Sequence, residues 1–302
     1  MNVELRPPML DEGAAIAELV NRAADELFGE PDETEATVRQ WLTAPELDPE
    51  HNIRLAISDG ELAGYADIAP HPEPTYWLDV RVPMSVGDEV RDALIAWGEE
   101  RACEQDASLI RAFTPENDTR YANALTRKGY DLIRHSYRMR IDFTEPPSAP
   151  DWPEGVTVRA AVEGDIRTAY DVYTETFEDT WEFGRDPFEE WRHWMVEDDL
   201  DLSLWFVAED RDEVAGAALC KPHDAEQGLG WVNILGVRRP WRRRGLGRAL
   251  LLHLFGEFHR RGFHGVGLGV DAESLTGANR LYESAGMRVS RRNDIYEKPL
   301  DG

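Results

Sequence analysis

Trp231-Val-Asn-Ile-Leu-Gly-Val-Arg-Arg-Pro-Trp-Arg-Arg-Arg-Gly-Leu-Gly-Arg248 decides how this chain is read. An apolar run suited to a strand passes into a loop holding Gly245 and Gly247, and a helical pattern starts at once. Glycine lets a backbone approach a ligand closely and adopt dihedrals closed to other residues. The N–H groups of a first helical turn lack intrahelical acceptors, and the helix dipole makes that end favour an anion. Six arginines between positions 238 and 248 add positive charge at this one place. A pyrophosphate is the natural guest, although a glycine-rich turn among solvated arginines would read the same way in isolation. Neither common nucleotide fingerprint fits. There is no G-x-x-x-x-G-K-[ST], and G-x-G-x-x-G fails because Leu250 takes its last position.

The flanks of this stretch alternate strand and helix patterns. Upstream lie a short strand at Val156–Ala160, a helical stretch from about Asp165, which is placed to be its N-cap, and strand candidates at 202–209 and 213–220. Strand 231–238 follows, then a helix over 248–261 with apolar residues at 250, 251, 252, 254, 255 and 258. A strand at 266–270 and a helix at 277–285 complete the series. Interleaved helices and strands indicate an α/β fold.

The pattern occurs twice. Leu78-Asp79-Val80-Arg81-Val82-Pro83 resembles Leu235-Gly236-Val237-Arg238-Arg239-Pro240 at an offset of 157, which also places Arg91 on Arg248 and Gly129 on Gly286. Three prolines in Thr144-Glu-Pro-Pro-Ser-Ala-Pro150 read as a linker. The expected domains are therefore 1–145 and 154–302, joined by 146–153. In the first copy Ser85 replaces Arg242, Asp88 replaces Gly245, Val90 replaces Gly247 and Leu125 replaces Tyr282. Asp88 and Glu89 would oppose a phosphate by roughly 1 kcal/mol or more per close pair, so this half is expected not to catalyse.

The whole chain narrows the alternatives. Its 302 residues suit two domains, and 42% apolar residues supply two cores. A net charge of −26 argues against general nucleic-acid binding. No apolar run approaches the roughly 18 residues of a membrane span, and MNVELRPPML lacks the features of a secretion signal. A soluble, cytoplasmic protein is expected. Cys103 and Cys220 form no ligand pair and read as two buried small hydrophobes.

Arg242-Arg-Arg-Gly-Leu-Gly247 resembles the [QR]-x-x-G-x-[GA] signature of the GNAT N-acetyltransferase superfamily. Asp271-Ala-Glu-Ser-Leu-Thr-Gly-Ala-Asn-Arg-Leu-Tyr-Glu-Ser-Ala-Gly-Met287 is similar to that family's second motif, N-x-x-x-A-x-x-x-Y-x-x-x-G-[FM], in the family's order and at its usual separation. The likeness to tandem GNAT proteins, the mycothiol synthase-like type among them, spans both halves and is sharp in the second. It implies two tandem GNAT-like domains, each a mixed twisted sheet flanked by helices and splayed after its fourth strand, where acetyl-CoA inserts. It further implies that backbone groups at Leu235, Gly236 and Val237 pair with the pantetheine arm. Amides from Arg243 through Arg244, Gly245, Leu246 and Gly247 to Arg248 would hold the pyrophosphate, with Arg242 or Arg243 adding charge. Ser274 and Asn279 would line the CoA side. Tyr282 matches the tyrosine that protonates the departing sulfur; a phenol of pKa about 10 against a thiol of about 8.5 needs only shared or late proton transfer.

Two residues depart from the family pattern. Ser274 stands where relatives usually have asparagine, and Asn233 where many have a glutamate base. Glu178, Asp179, His223, Asp224, Asp271 and Glu273 are candidates for accepting the amine's proton, none favoured over the others. The aromatic and acidic stretch 176–194 suits either a wall around a cationic acceptor or a helix packing its rings. The expected activity is acetyl-CoA-dependent transfer, without a metal, to a primary amine of a small molecule such as an amino sugar, polyamine or amino-acid derivative. A protein N-terminus or lysine is a second acceptor class. A noncatalytic acyl-CoA-binding or regulatory protein is the alternative reading.

Overall fold

A computed structural model describes residues 3–44, 47–71, 74–196, 200–224, 228–274 and 276–300. The chain divides into two units, one of Met1–His135 with Asn293–Gly302, the other of Ser136–Arg292.

In the first unit, β1 (Val3–Arg6) leads through α1 (Gly13–Phe28), α2 (Glu35–Thr43) and the short α3 (Pro49–Asn52) to β2 (Ile53–Ser58), β3 (Glu61–Pro70) and β4 (Thr75–Arg81). Then come α4 (Asp88–Glu104), β5 (Leu109–Pro115) and α5 (Thr119–Arg127). The second unit takes in most of β6 (Asp131–Asp142), then β7 (Val156–Ala160), α6 (Ile166–Phe177), α7 (Phe188–Met195), β8 (Trp205–Asp210), β9 (Glu213–Asp224) and β10 (Leu229–Val237). It continues with α8 (Leu246–Arg260), β11 (Gly265–Asp271) and α9 (Ala278–Ser284). The chain returns to the first unit along β12 (Arg288–Pro299).

Within each unit the strand pairing is mixed, as expected of the fold class. The order is β1-β2-β3-β4-β5-β12 in the first unit and β7-β8-β9-β10-β11-β6 in the second. All neighbours are antiparallel except β4 with β5 and β10 with β11. At both parallel pairs the ladder stops early. The last pairs are Leu78↔Ala112 and Val232↔Leu268, although β4 runs on to Arg81 and β10 to Val237. This is the splay after the fourth strand of each sheet.

The units are not the contiguous halves 1–145 and 154–302. After α5 the chain enters β6, whose Ser136–Asp142 segment pairs with β11, while Asn293–Pro299 of β12 pairs with β5. The proline-rich stretch 146–153 lies within the second unit. Two further expectations are corrected. Cys220 is buried, but Cys103 is exposed on α4. Asp165 does sit at the start of α6, but its carboxylate turns back to the Val162 N–H (2.8 Å) and to Arg159 (2.7 Å) instead of capping the helix.

Burial of α8 sets the second core. Leu250, Leu254, Phe255 and Phe258, all fully buried, pack with Val232, Val266 and Leu268 from the strands. Truncating such an aromatic removes its transfer energy and leaves a cavity. Phe255→Ala is accordingly expected to cost about 3–5 kcal/mol, read as a lowered urea midpoint of the second unit. A cost under about 1 kcal/mol would mean that the helix is not held by this face. On the other side of the sheet, Tyr170, Trp191, Trp205 and Ile234 form a separate core beneath α6 and α7.

Candidate functional site

The site grows from the end of β10. A bulge between Val232 and Ile234 turns the strand where it loses β11, while β9 stays paired as far as Val237↔Gly216. Leu235, Gly236 and Val237 thus lie on a stretch of strand whose β11-side edge has no ladder. Such an edge offers N–H and C=O groups to an extended guest. Gly236 is required by packing: a Cβ there would stand 2.5 Å from Thr176 Oγ1 on α6.

Beyond β10 the chain makes a turn at Arg239–Trp241 and then two left-handed steps, Arg243 at φ 60° and Gly245 at φ 87°. Helix α8 begins at Leu246 with Gly245 as its N-cap, and no side chain caps it. The N–H groups of its first turn are left to point outwards. A Cβ on Gly245 would meet no atom within 4 Å, so its glycine serves backbone conformation. At Gly247 a Cβ would stand 3.1 Å from Leu281, where α9 packs on α8.

The six arginines of the loop have different partners. Arg238 holds Glu175 at 2.6 Å, and Arg239 holds Glu178 and Asp179 at 3.0 and 2.9 Å. Arg242 bonds Asp179 (2.7 Å) and the carbonyls of Val237 (3.0 Å) and Thr176 (3.4 Å), bracing the loop against β10 and α6. Arg244 lies 3.7 Å from Asp210, and Arg248 reaches the Ser284 carbonyl at 3.4 Å. Arg243 is exposed and its side chain has no partner among the described residues. Of the two arginines expected to add charge to an anion, Arg243 is the one with an unengaged head group.

Three expected residues come from the segment around α9. Tyr282 is half-buried against the second core, as are Leu281, Leu235 and Val237, and burial pushes its hydroxyl up to about 12. Asn279 donates to the carbonyls of Asp271 (3.1 Å) and Ala272 (2.9 Å), while its Oδ1 is buried without a hydrogen-bond partner. Ser274 shares a 2.9 Å bond with Thr276. Both Ser274 and Asn279 therefore shape the β11–α9 connection.

Several base candidates are already occupied. Hydrogen bonds from Arg242 and then Arg239 lower Asp179 below its ordinary value, and Glu178 pairs with Arg239. Asp271 accepts the Glu273 N–H at 3.1 Å, and Glu273 is exposed. The side chains of His223 and Asp224 lie outside the described residues. Asn233 turns towards α7, its Nδ2 4.0 Å from Met195 Sδ, a weak contact at most.

The stretch 176–194 divides its roles. Phe188 and Trp191 meet Tyr170 edge to face at centroid distances of 5.3 and 5.4 Å, Trp191 lies 6.2 Å from Trp205, and Phe177 packs 5.1 Å from Tyr173. Those rings build core beneath α7. Sequence reading missed Trp231 with Arg138, whose guanidinium lies 4.7 Å from the indole centroid. Gly267 lets that indole lie on β11, because a Cβ there would be 2.7 Å from the ring. The signal was the alternation Gly265-Val-Gly-Leu-Gly269, which strips one face of the strand of side chains.

The first unit's equivalent loop is closed by its own chain. Glu26 of α1 accepts from Ser85 N–H (3.0 Å) and Ser85 Oγ (2.7 Å), placing a carboxylate at the loop. Asp88 pairs with Arg120 at 2.6 Å, and Val90 and Leu125 are fully buried.

A model of the acetyltransferase (GNAT) family matches residues 166–287. The chain is similar to a mycothiol acetyltransferase of Thermobispora bispora, with 31% identity over 95% of this chain and 96% of that protein. Among solved structures it is similar to a GCN5-related N-acetyltransferase from Sphaerobacter thermophilus, with a TM-score of 0.80, 32% identity, and 99% and 96% of the two chains covered. A tandem GNAT protein from the clavulanic acid biosynthesis pathway shares the fold at a TM-score of 0.78 and 14% identity, covering 100% of this chain and 99% of that one. Among the described residues no helix is long and apolar enough to cross a membrane.

Proposed function

The chain belongs to the GNAT acetyltransferase family as a tandem N-acetyltransferase, and on that premise we propose that its second unit takes acetyl-CoA and acetylates a primary amine of a small molecule. The observation that carries this reading is the end of β10, parted from β11 and running into an uncapped helix N-terminus through Gly245. The open edge at Leu235–Val237 suits the two amides of a pantetheine arm. The N–H groups from Arg243 to Arg248 suit its pyrophosphate, with Arg243 as the charged contact.

In the proposed reaction the amine nitrogen attacks the thioester carbon directly, and a backbone N–H at the β10 bulge polarises the carbonyl. The carbon–sulfur bond breaks, and Tyr282 supplies the proton that turns the departing thiolate into a thiol. The amine's proton leaves to water, since Glu178 and Asp179 are engaged by arginines and Asn233 is not basic, and solvent returns a proton to Tyr282. The acceptor class is supported by the mycothiol acetyltransferase relative, which matches almost end to end.

Glu26 at the first unit's loop supports a single cofactor site in the second unit. Calorimetric titration of acetyl-CoA into the full chain is expected to give one site per chain with micromolar affinity, followed by CoA release when amines are screened. Two sites would overturn the noncatalytic reading of the first unit. No binding would sink the cofactor assignment.

A further inference from the structure

The first unit retains the parted strands, but their lining is different. On β3 and β4, Tyr65 faces Arg81 and Asp67 faces Asp79 across the antiparallel ladder. These four side chains share one face, and Trp41 of α2 packs on Tyr65 at 5.6 Å. The matching positions of the second unit are small: Gly236 stands for Asp79 and pairs with Ala217. The offset of 157 likewise puts Ala278 where the first unit has Tyr121. Only the basic member persists, as Arg81 and Arg238.

Two like charges opposite each other on neighbouring strands are unfavourable. Asp79 chelates Arg81 Nε at 2.9 and 2.8 Å, and Asp32 lies 3.5 Å from the same guanidinium, whose field also includes Glu33. Arg81 is thus shared by Asp79 and Asp32, while Asp67 has no ion pair of its own among the described residues. Burial, and then the charge of Asp79, raise Asp67 to about 7. Two phenols lie near these carboxylates, Tyr121 with the Arg91 guanidinium 5.9 Å from its ring centroid. Tyr65 is 0% exposed and Tyr121 1%; the Tyr65 hydroxyl is turned towards the Asp67 carboxylate, and the Tyr121 hydroxyl has no hydrogen-bond partner. Besides burial, the nearby carboxylate Asp67 acts most strongly on the Tyr65 hydroxyl and Asp79 on that of Tyr121, keeping both protonated well above the ordinary range. Buried polar atoms are rarely left unpaired. A phenol oxygen accepts from an N–H, and a carboxylate balances an N–H-bearing cation, so one guest satisfies both deficits. Asp79 remains 29% exposed, which leaves a way in.

We infer that the splayed strands of the first unit form a second binding site, for a small organic cation whose ammonium or guanidinium group sits between Asp67 and Asp79 beneath Tyr65 and Tyr121. The inference does not depend on acetyl transfer in the second unit.

Putrescine is a suitable probe, titrated calorimetrically into the full chain at pH 7 in two anionic buffers of different ionisation enthalpy. The expected result is one site whose apparent heat depends on the buffer, because the cation displaces a proton from the Asp67–Asp79 pair. Asp67→Asn is expected to weaken binding about tenfold or more and to abolish proton release. Tyr121→Phe, which leaves every charge in place, is expected to weaken binding several-fold, with the thermal transition of each variant confirming the fold. Absence of binding, binding without proton release, or equal binding by wild type and both variants would place any amine site elsewhere and overturn the inference.

Discussion

Replacing Gly245 by aspartate is expected to lower acetyl-CoA affinity about a hundredfold while leaving the protein folded. Two effects act together: strain in the free loop favours conformations other than the one that binds, and the new charge opposes the anion. Gly245 sits at φ 87°, a region that costs a residue with a Cβ roughly 1–2 kcal/mol, somewhat less for aspartate. The new carboxylate would also face the bound pyrophosphate at about 1 kcal/mol per close pair even in a water-like dielectric. Steric damage is not part of the effect, because the added Cβ meets nothing within 4 Å. The neighbouring Gly247→Val is a less clean experiment, since its side chain would push into Leu281 and disturb how α9 packs. Calorimetry on Gly245→Asp therefore reads the anion site alone. A dissociation constant within threefold of wild type would move the cofactor away from this loop.

The parts of the fold written in local chemistry were legible in the sequence. The strand Val156–Ala160 falls where its pattern predicts, and α8 begins within two residues of its expected start, because Gly245 and the run of buried leucines fix both ends of the argument. The exchange of β6 and β12 was not legible. Strand pairing is a long-range choice, and nothing in Asp131–Asp142 says whether its partner is β5 of its own half or β11 of the other. The same limit hid Arg138, which reaches Trp231 only because β6 lies beside β11. In the loop, the conformational need for glycine at 245 was legible because a left-handed N-cap admits few residues, whereas Gly247 lies within α8 and is set by its packing near Leu281. The arginines could not be ranked. Arg242 and Arg243 are equivalent as letters, and only the position of Asp179 and the Val237 carbonyl shows that the first is a brace. The paired carboxylates Asp67 and Asp79 were likewise invisible, being twelve residues apart in sequence and opposite one another across a ladder.

Tyr282→Phe is expected to cut kcat about a hundredfold with little change in acetyl-CoA affinity. The hydroxyl is the only atom removed, and the ring keeps its packing against the second core. Burial raises the phenol to about 12, so it holds its proton throughout an assay between pH 6 and pH 10. The acid is therefore present over that whole range, and wild type should show no fall in rate from its loss. The rise of kcat/KM with pH should instead follow deprotonation of the acceptor amine, near pH 10 for a lysine-like group. This follows if neither Asp179 nor Asn233 serves as the base: Asp179 is held below its ordinary value by Arg242 and Arg239, and Asn233 cannot accept a proton. The variant should keep the rising limb and lose the height of the profile. An unchanged kcat would remove Tyr282 from the chemistry. A descending limb in wild type near pH 8–9 that disappears in the variant would mean that the phenol ionises far below its buried value, which the packing around it contradicts.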